Sequence, residues 1–491
     1  MLQRDGLGII IVQKILIIGL IALTMGILVV AMIRYGLFAG IAIAILPLAL
    51  IGFLSILYSP FVSFVVLFVA NYFVIAIMRY TQLSGLSVFI DVLIVLTLLS
   101  FALNRTFTKE RYLIPQLSQN RINKGVIFAS LIWAVYCCLE ILNPSAMVSQ
   151  WILSRGISLY LFFFAMLSLI VFNSFKKLEI IIFILSGLTL IGVAKTLMQQ
   201  FWGFDFAEQI VLNDGLAKTH LLITGTRYFS IYASAGILGA IMGHAVIVFL
   251  IVAVYANSHL KRIYYIFVST GALYALLVSG TRGSLVIPAA GLILFSILSK
   301  QIRLMFPTLV ISVLIYVFLA MTTIGQSVYV IRRARTILDP NEPSLMVRLE
   351  NQKKFAAYLA NKPFGEGLGL SGVDVKGVPP RFTTSIPTDS WYVKIWVETG
   401  IVGLSLHIAI LAYILLHGCY LIFFKLKNQY LKGILTGLHC GAFGILIASY
   451  GNQVLGQFPV VMIVYMSMAL VFMGPFFDAQ LENRRTVESV H

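Results

Sequence analysis

Apolar runs long enough to cross a bilayer follow one another along almost the whole of this 491-residue chain, and that repetition limits the fold before any single residue is considered. A helix needs about 20 residues to span roughly 30 Å of hydrocarbon. Runs of this order lie near residues 15–32, 37–57, 61–78, 85–103, 125–142, 156–174 and 180–198. Seven more lie near 229–255, 263–280, 284–299, 304–322, 400–424, 432–450 and 458–474. Backbone in lipid must satisfy its own hydrogen bonds, which such runs do as helices. The expected fold is therefore all-α, a polytopic membrane helix bundle of about 14 transmembrane helices. The range is 12–14, because only Ser59-Pro60 separates the second and third runs.

Composition supports this class. Hydrophobic residues make up 60% of the chain and charged residues 11%, where a soluble domain carries about 25% charged. The net charge of +17, from 35 Lys+Arg against 18 Asp+Glu, is spread over connections between apolar runs. Membrane topology accounts for it better than nucleic-acid binding does. Cys137, Cys138, Cys419 and Cys440 all sit inside apolar runs, so neither a disulfide framework nor a metal site is expected. The first run is expected to be a retained anchor rather than a signal peptide.

Orientation follows from the short loops, in which Lys and Arg collect on the cytoplasmic side. Arg105, Lys109, Arg111, Arg121 and Lys124 mark one such loop; Lys176-Lys177, Lys261-Arg262, Lys300 with Arg303, and Lys425, Lys427 and Lys432 mark four more. With fourteen spans these share one side, and both termini are cytoplasmic. The outer side then receives segments 143–155, 199–228, 281–283 and one large loop. The expected organisation is helices 1–11 over residues 1–322, the loop over 323–399, helices 12–14 over 400–474, and a cytoplasmic tail over 475–491 that is polar and mobile after Phe477.

The outer loop is the only long polar stretch. Within it, Ser344 to Asn361 has apolar residues at helical spacing among charges and reads as an amphipathic helix capped by Ser344. Lys362-Pro363 ends that helix, and Phe364-Gly365-Glu366-Gly367-Leu368-Gly369 reads as a turn-rich crossing rather than a dinucleotide fingerprint. The basic cluster Arg332, Arg333 and Arg335 suits contact with lipid headgroups.

Arg282, in Ser279-Gly280-Thr281-Arg282-Gly283-Ser284, is the sharpest anomaly, because the positive-inside rule would place it on the other face. Flanking glycines allow close approach, and guanidinium suits bidentate binding of phosphate. The ordinary alternative is an arginine snorkelling to the interface. Arg227 and Arg348 are expected on the same side, and three arginines there would be able to surround a pyrophosphate. Asp389, before Ser390-Trp391-Tyr392, is a candidate general base or a carboxylate that holds an arginine; its ordinary alternative is a helix cap. Arg381, Tyr392 and His220 are further candidate substrate contacts, with His220 expected to be solvated. Asp91, Glu140, Lys195 and His244 fall inside apolar runs, where ionisable groups are functional candidates by default. Glu140 and Lys195 lie near helix ends, where snorkelling suffices.

These residues, in this order, resemble the O-antigen ligase and O-antigen polymerase superfamily over roughly Thr224 to Leu404. The resemblance is carried by Ser279-Gly280-Thr281-Arg282-Gly283, the Arg-bearing loop helix, the segment from Lys362 to Gly369, Asp389-Ser390-Trp391-Tyr392, and Glu398-Thr399-Gly400-Ile401-Val402-Gly403-Leu404. It implies a bacterial inner-membrane glycosyltransferase that takes its glycan from undecaprenyl pyrophosphate at the periplasmic face; no cofactor or metal is expected, since preorganised arginines can stabilise the phosphate charge without one. It also implies roles at the lipid pyrophosphate for Arg282 and Arg348, and likens Arg227 to the arginine that opens the preceding helix of the family. Family ligases often carry His-Asn where this chain has Asp389-Ser390, which inclines the expectation towards a polymerase with Asp389 as base. The expected acceptor is another glycan or, for a ligase, lipid A-core. Membrane lipids and a chain-length regulator are the expected partners, and nucleic acid is not. A transporter or flippase would instead show broken helices in matching halves, and no such pattern is visible.

Overall fold

The computed structural model describes residues 54–83, 85–107, 124–222, 225–299 and 343–488 apart from 374 and 376, with residue 52 and scattered positions from 306 to 335. The expected spans near 15–32, 37–57 and 304–322, and nearly all of the basic loop 105–124, lie outside the described residues or are described only at isolated positions.

Among the described residues the architecture is mostly helical, with one short two-stranded hairpin. In chain order the main helices are α1 (Pro60–Thr81), α2 (Ser87–Phe107), α3 (Gly125–Leu139), α4 (Tyr160–Val171), α5 (Phe175–Phe201), α6 (Ala235–Val254), α7 (His259–Val278), α8 (Arg282–Leu298), α9 (Pro343–Leu359), α10 (Trp391–Tyr420), α11 (Gln429–Ala448), α12 (Val460–Phe472) and α13 (Gly474–Glu488). Among the described residues, seven helices are long and apolar enough to cross a membrane, or eight if the bent pair α12–α13 is one span.

The core is built on α6, α11 and α12. In α6 and α11, 89% of the apolar window is buried, against 33–50% in the other five candidate spans, and every residue of α12 is buried. A helix that is apolar all round belongs inside such a bundle. Close approach there depends on small residues, as is usual between membrane helices. A methyl group added to Gly444 of α11 would lie 2.4 Å from the Ile287 carbonyl of α8, and one on Gly437 would lie 2.9 Å from the Val248 carbonyl of α6. His244 belongs to this packing, pressed against Gly441.

Several elements differ from the expected spans. The run 156–174 is interrupted: Val148–Leu153 and Arg155–Ser158 are short helices, and α4 begins only at Tyr160. The run 229–255 turns helical at Ala235, because Phe229–Tyr232 is held in a non-helical path by Arg79, whose guanidinium donates to the Ser230 carbonyl at 2.8 Å and to that of Tyr232. The tail expected to be mobile forms α13, where Asp478 accepts from the backbone N–H groups of Lys427 and Asn428, both at 2.9 Å.

The boundary expected at 399/400 falls inside α10. Gly400 takes φ +66° and breaks the helix. The break frees the Val397 and Glu398 carbonyls, which accept from the N–H groups of Glu366 (2.9 Å) and Gly367 (3.0 Å). The Val402 N–H, in turn, donates to the Pro363 carbonyl at 3.2 Å, and Tyr136 donates to that of Thr399 at 3.0 Å. Buried backbone groups must be paired; here the glycine-rich crossing of the loop supplies the partners that the broken helix lacks. A methyl on Gly400 would fall 1.9 Å from the Pro363 oxygen, so both the positive φ and the contact require glycine.

The connections segregate to two ends. Contacts at one end join Asn143 to Phe364, Arg381 to Ser145, and Arg227 to Thr281. At the other, Lys261 meets Glu179, Gln480 meets Phe175, and Asp478 meets Lys427.

Candidate active site

The segment Ser279-Gly280-Thr281-Arg282-Gly283-Ser284 forms the turn from α7 to α8. Gly280 takes φ +59°, and the buried Ser279 closes its own hydroxyl on the Leu276 carbonyl at 2.7 Å. A methyl on Gly239 of α6 would lie 2.6 Å from Ser284 Oγ, so the turn is pressed against that helix. Thr281 Oγ1 donates to the Ala235 carbonyl (2.9 Å) and accepts from Arg227 Nη2 (2.9 Å). Gly283 makes room for a carboxamide: a methyl there would meet Asn452 Nδ2 at 2.3 Å. Arg282, half-buried, is the first residue of α8.

Arg227 is delivered to the same turn by a two-residue hairpin in which Leu221–Leu222 pairs antiparallel with Gly225–Thr226. Its Nη1 also donates to the Thr219 carbonyl at 3.0 Å. His220, expected to be solvated, is buried. Its Nε2 accepts from the Ala235 N–H at 3.0 Å, and its Nδ1 lies 3.0 Å from the Leu216 carbonyl. Burial, reinforced by the nearby positive charges of Arg227 and Arg79, pushes its pKa down to about 4. His220 is thus a neutral link between hairpin and α6, with both nitrogens occupied by the protein.

Arg348 lies on α9, which spans almost the residues expected for the amphipathic helix. Phe355 and Leu359 of α9 pack with Val393 and Val397 of α10 in a small core of their own, and this packing sets Arg348 beside the start of α10. Arg348 Nε is 3.8 Å from Asp389 Oδ2, with the two side chains 33% and 44% exposed. Such an ion pair contributes about 0–1 kcal/mol and is easily opened. The cleft around it, lined by Arg348, Asn351, Gln352, Pro387, Asp389, Ser390 and Val393, has about 10 Å³ of free volume, room for one water. The cap of α10 is Ser390, whose Oγ accepts from the Val393 N–H at 3.5 Å. Asp389 is therefore not the cap, and its carboxylate faces the arginine.

The connection from α11 to α12 joins these pieces. A methyl on Gly451 would lie 3.7 Å from Arg348 Nη1, while the next residue, Asn452, covers Gly283. Gln453 Nε2 donates to the hydroxyl of Thr388 at 2.7 Å and to its carbonyl, immediately before Asp389. The Trp391 N–H donates to the Ser449 carbonyl at 3.0 Å, and Gly456 accommodates the Trp391 ring. The Arg227–Arg282 turn and the Arg348–Asp389 pair thus meet on two sides of one short loop.

Arg381 and Tyr392 take other places. Arg381 donates to the Ser145 carbonyl (2.9 Å) and to Glu366 (3.2 Å), which also receives Lys362 (2.7 Å) and Tyr358 (3.1 Å). This cluster braces the glycine-rich crossing. The Tyr392 hydroxyl donates to the Leu446 carbonyl at 2.9 Å and ties α10 to α11. Among ionisable groups in apolar runs, Asp91 pairs with Arg155 and Tyr160, Glu140 meets Asn143 at 3.3 Å, and Lys195 meets Asp205 (2.7 Å) and Glu208 (2.9 Å). Arg332 is exposed; Arg333 lies outside the described residues.

The residues missed by sequence reasoning are Gly451, Asn452 and Gln453. Their only signal was a short run of small and polar residues between two apolar runs, at the end of the bundle that also carries Arg282.

Residues 267–408 match the O-antigen ligase family model. The matched segment contains Arg282, Arg348, Arg381, Asp389 and Tyr392, and ends beyond the break at Gly400. It supports the O-antigen ligase and polymerase superfamily and, with the apolar helices, a membrane enzyme of that type. No curated protein matches the chain.

Proposed function

We propose that the protein is a surface-polysaccharide polymerase of the bacterial inner membrane, extending one glycan at the expense of another held on undecaprenyl pyrophosphate. The observation that carries this reading is the meeting of the Arg227–Arg282 turn and the Arg348–Asp389 pair across Gly451-Asn452. Pyrophosphate is already a good leaving group, so the task is to orient an acceptor and stabilise charge developing on phosphate oxygens, which preorganised arginines do. The acceptor hydroxyl oxygen attacks the anomeric carbon and the bond from that carbon to the pyrophosphate oxygen breaks. The hydroxyl proton passes to Asp389, and undecaprenyl pyrophosphate departs against Arg282 and Arg348. Asp389 is freed for this role when the donor's negative charge competes for Arg348. The chemistry is assigned to the periplasmic face, where the polyprenyl tail stays in hydrocarbon while the glycan reaches water. A chain-length regulator would act on the same face.

A second reading, transfer to lipid A-core, is favoured by the family description and uses the same residues with a different acceptor. Gel analysis of surface polysaccharide in a deletion strain complemented with wild type or Arg282→Ala tests both. Loss of long chains, with single repeats still reaching lipid A-core, identifies a polymerase. Long glycan trapped on the polyprenyl carrier identifies a ligase, and an unchanged pattern overturns both.

A further inference from the structure

Asn452 has a position that the site chemistry described so far does not use. Its carboxamide lies against the α-carbon of Gly283, the residue after Arg282, and the preceding Gly451 lies against the guanidinium of Arg348. The side chain is half-buried, and the close contact at Gly283 fixes where the amide sits. The two neighbours of Asn452 are committed: Gly451 to the approach of Arg348, and Gln453 to Thr388 by two hydrogen bonds. A carboxamide held between two arginine-bearing elements offers two N–H donors and one acceptor where anionic oxygens would be bound.

We propose that Asn452 contacts the substrate directly, donating a hydrogen bond from its carboxamide to a phosphate oxygen of the polyprenyl-pyrophosphate donor between Arg282 and Arg348. This inference rests on the proposed polyprenyl-pyrophosphate reading. On this assignment Gly283 is a spacer: any side chain there would displace the amide from its place. A carboxylate in its place would repel the diphosphate outright.

The experiment compares Asn452→Ala, Asn452→Asp and Asn452→Gln with Arg282→Ala in the full-length protein. Surface polysaccharide is read in the deletion strain and the amount of protein in the membrane is measured in parallel. On purified protein in detergent, the rise in Tm on adding undecaprenyl diphosphate is also measured. The expected result is roughly a tenfold or greater loss of product for Asn452→Ala and a larger loss for Asn452→Asp, with membrane abundance preserved. The Tm shift from the lipid diphosphate should shrink in the same order, and Asn452→Gln should retain part of both. If Arg282→Ala abolishes product while Asn452→Ala and Asn452→Asp match wild type, the role of Asn452 is refuted and the wider functional reading stands. Equal losses for Ala and Asp with an unchanged lipid-induced Tm shift also refute the phosphate contact. Should the Asn452 variants fail to accumulate, the lipid-induced shift in Gly283→Ala decides: an undiminished shift refutes the proposal. An unchanged glycan pattern in Arg282→Ala instead refutes the reading beneath it.

Discussion

Two clusters of charge are built from the same residue types and treated in opposite ways. In the first, Arg79, Lys195, Asp205 and Glu208 close on one another: Glu208 lies 2.9 Å from Lys195, 3.9 Å from Arg79 and 2.8 Å from the Gln199 amide, with its side chain fully buried. In the second, Arg348 and Asp389 stand 3.8 Å apart, a third or more exposed. A buried charge must be fully paired to be tolerated, and once paired it has nothing left to offer a ligand. The loose pair can exchange partners at little cost. The first cluster fixes the path of Phe229–Tyr232, two residues beyond Arg227, so the closed cluster holds in place part of the open one.

The comparison can be broken most forcefully at Glu208. Glu208→Ala leaves the Arg79 and Lys195 cations without their shared carboxylate and should cost about 3–5 kcal/mol of stability, read as a large fall in Tm and in folded protein from the membrane. Arg282→Ala should do the reverse. Turnover should fall by about 10²–10³-fold while Tm stays near wild type, and Arg282→Lys should recover little, because an ammonium lacks the planar fork of guanidinium. A wild-type Tm in Glu208→Ala, or a collapsed fold in Arg282→Ala, would dissolve the distinction.

His220 gives a smaller and pH-dependent effect. Its folded pKa of about 4 lies below the ordinary 6.5, so between those values the unfolded chain binds the extra proton and the folded one does not. The stability that a neutral His220 confers is complete above pH 6.5 and is lost as pH falls towards 4. Melting curves at pH 7.5 and 5 should show a drop that His220→Gln reduces. The smallest effect belongs to the exposed Lys354–Glu350 pair on α9, 2.8 Å apart. Lys354→Ala should leave both the Tm and the glycan close to wild type, because so exposed a pair is screened by solvent.

Much of the helical plan is legible from apolar run length alone. The runs at 61–78, 85–103, 125–142 and 180–198 correspond to α1, α2, the extended α3 and α5, and Ser344–Asn361 anticipates α9 within two residues. Local chemistry was legible too, since the glycines and hydroxyls around Arg282 announce a tight turn. What stayed hidden are the pairings between distant segments. Nothing in the local pattern of Gly451-Asn452-Gln453 says that it will meet Gly283 and Thr388, and nothing near Arg79 announces Glu208. Run length also misjudged 156–174, because lipid-like composition does not reveal a chain that breaks at Ser154 and Leu159 to let its neighbours approach. His220 failed for the related reason that a polar residue in a connecting segment is solvated only if no other segment covers it.

The break at Gly400 bears on how such proteins can be recombined. Because the Val397 and Glu398 carbonyls are satisfied by Glu366 and Gly367, and the Val402 N–H by Pro363, the large loop and the helix that follows it are inherited as one piece. A graft cut at 399/400 would pair a foreign crossing with a native break and strand backbone groups of both parents. Exchange of the loop between relatives should therefore give folded protein with a junction beyond residue 402, where the helix again pairs its own backbone, and fail with one placed at the apparent edge of the loop.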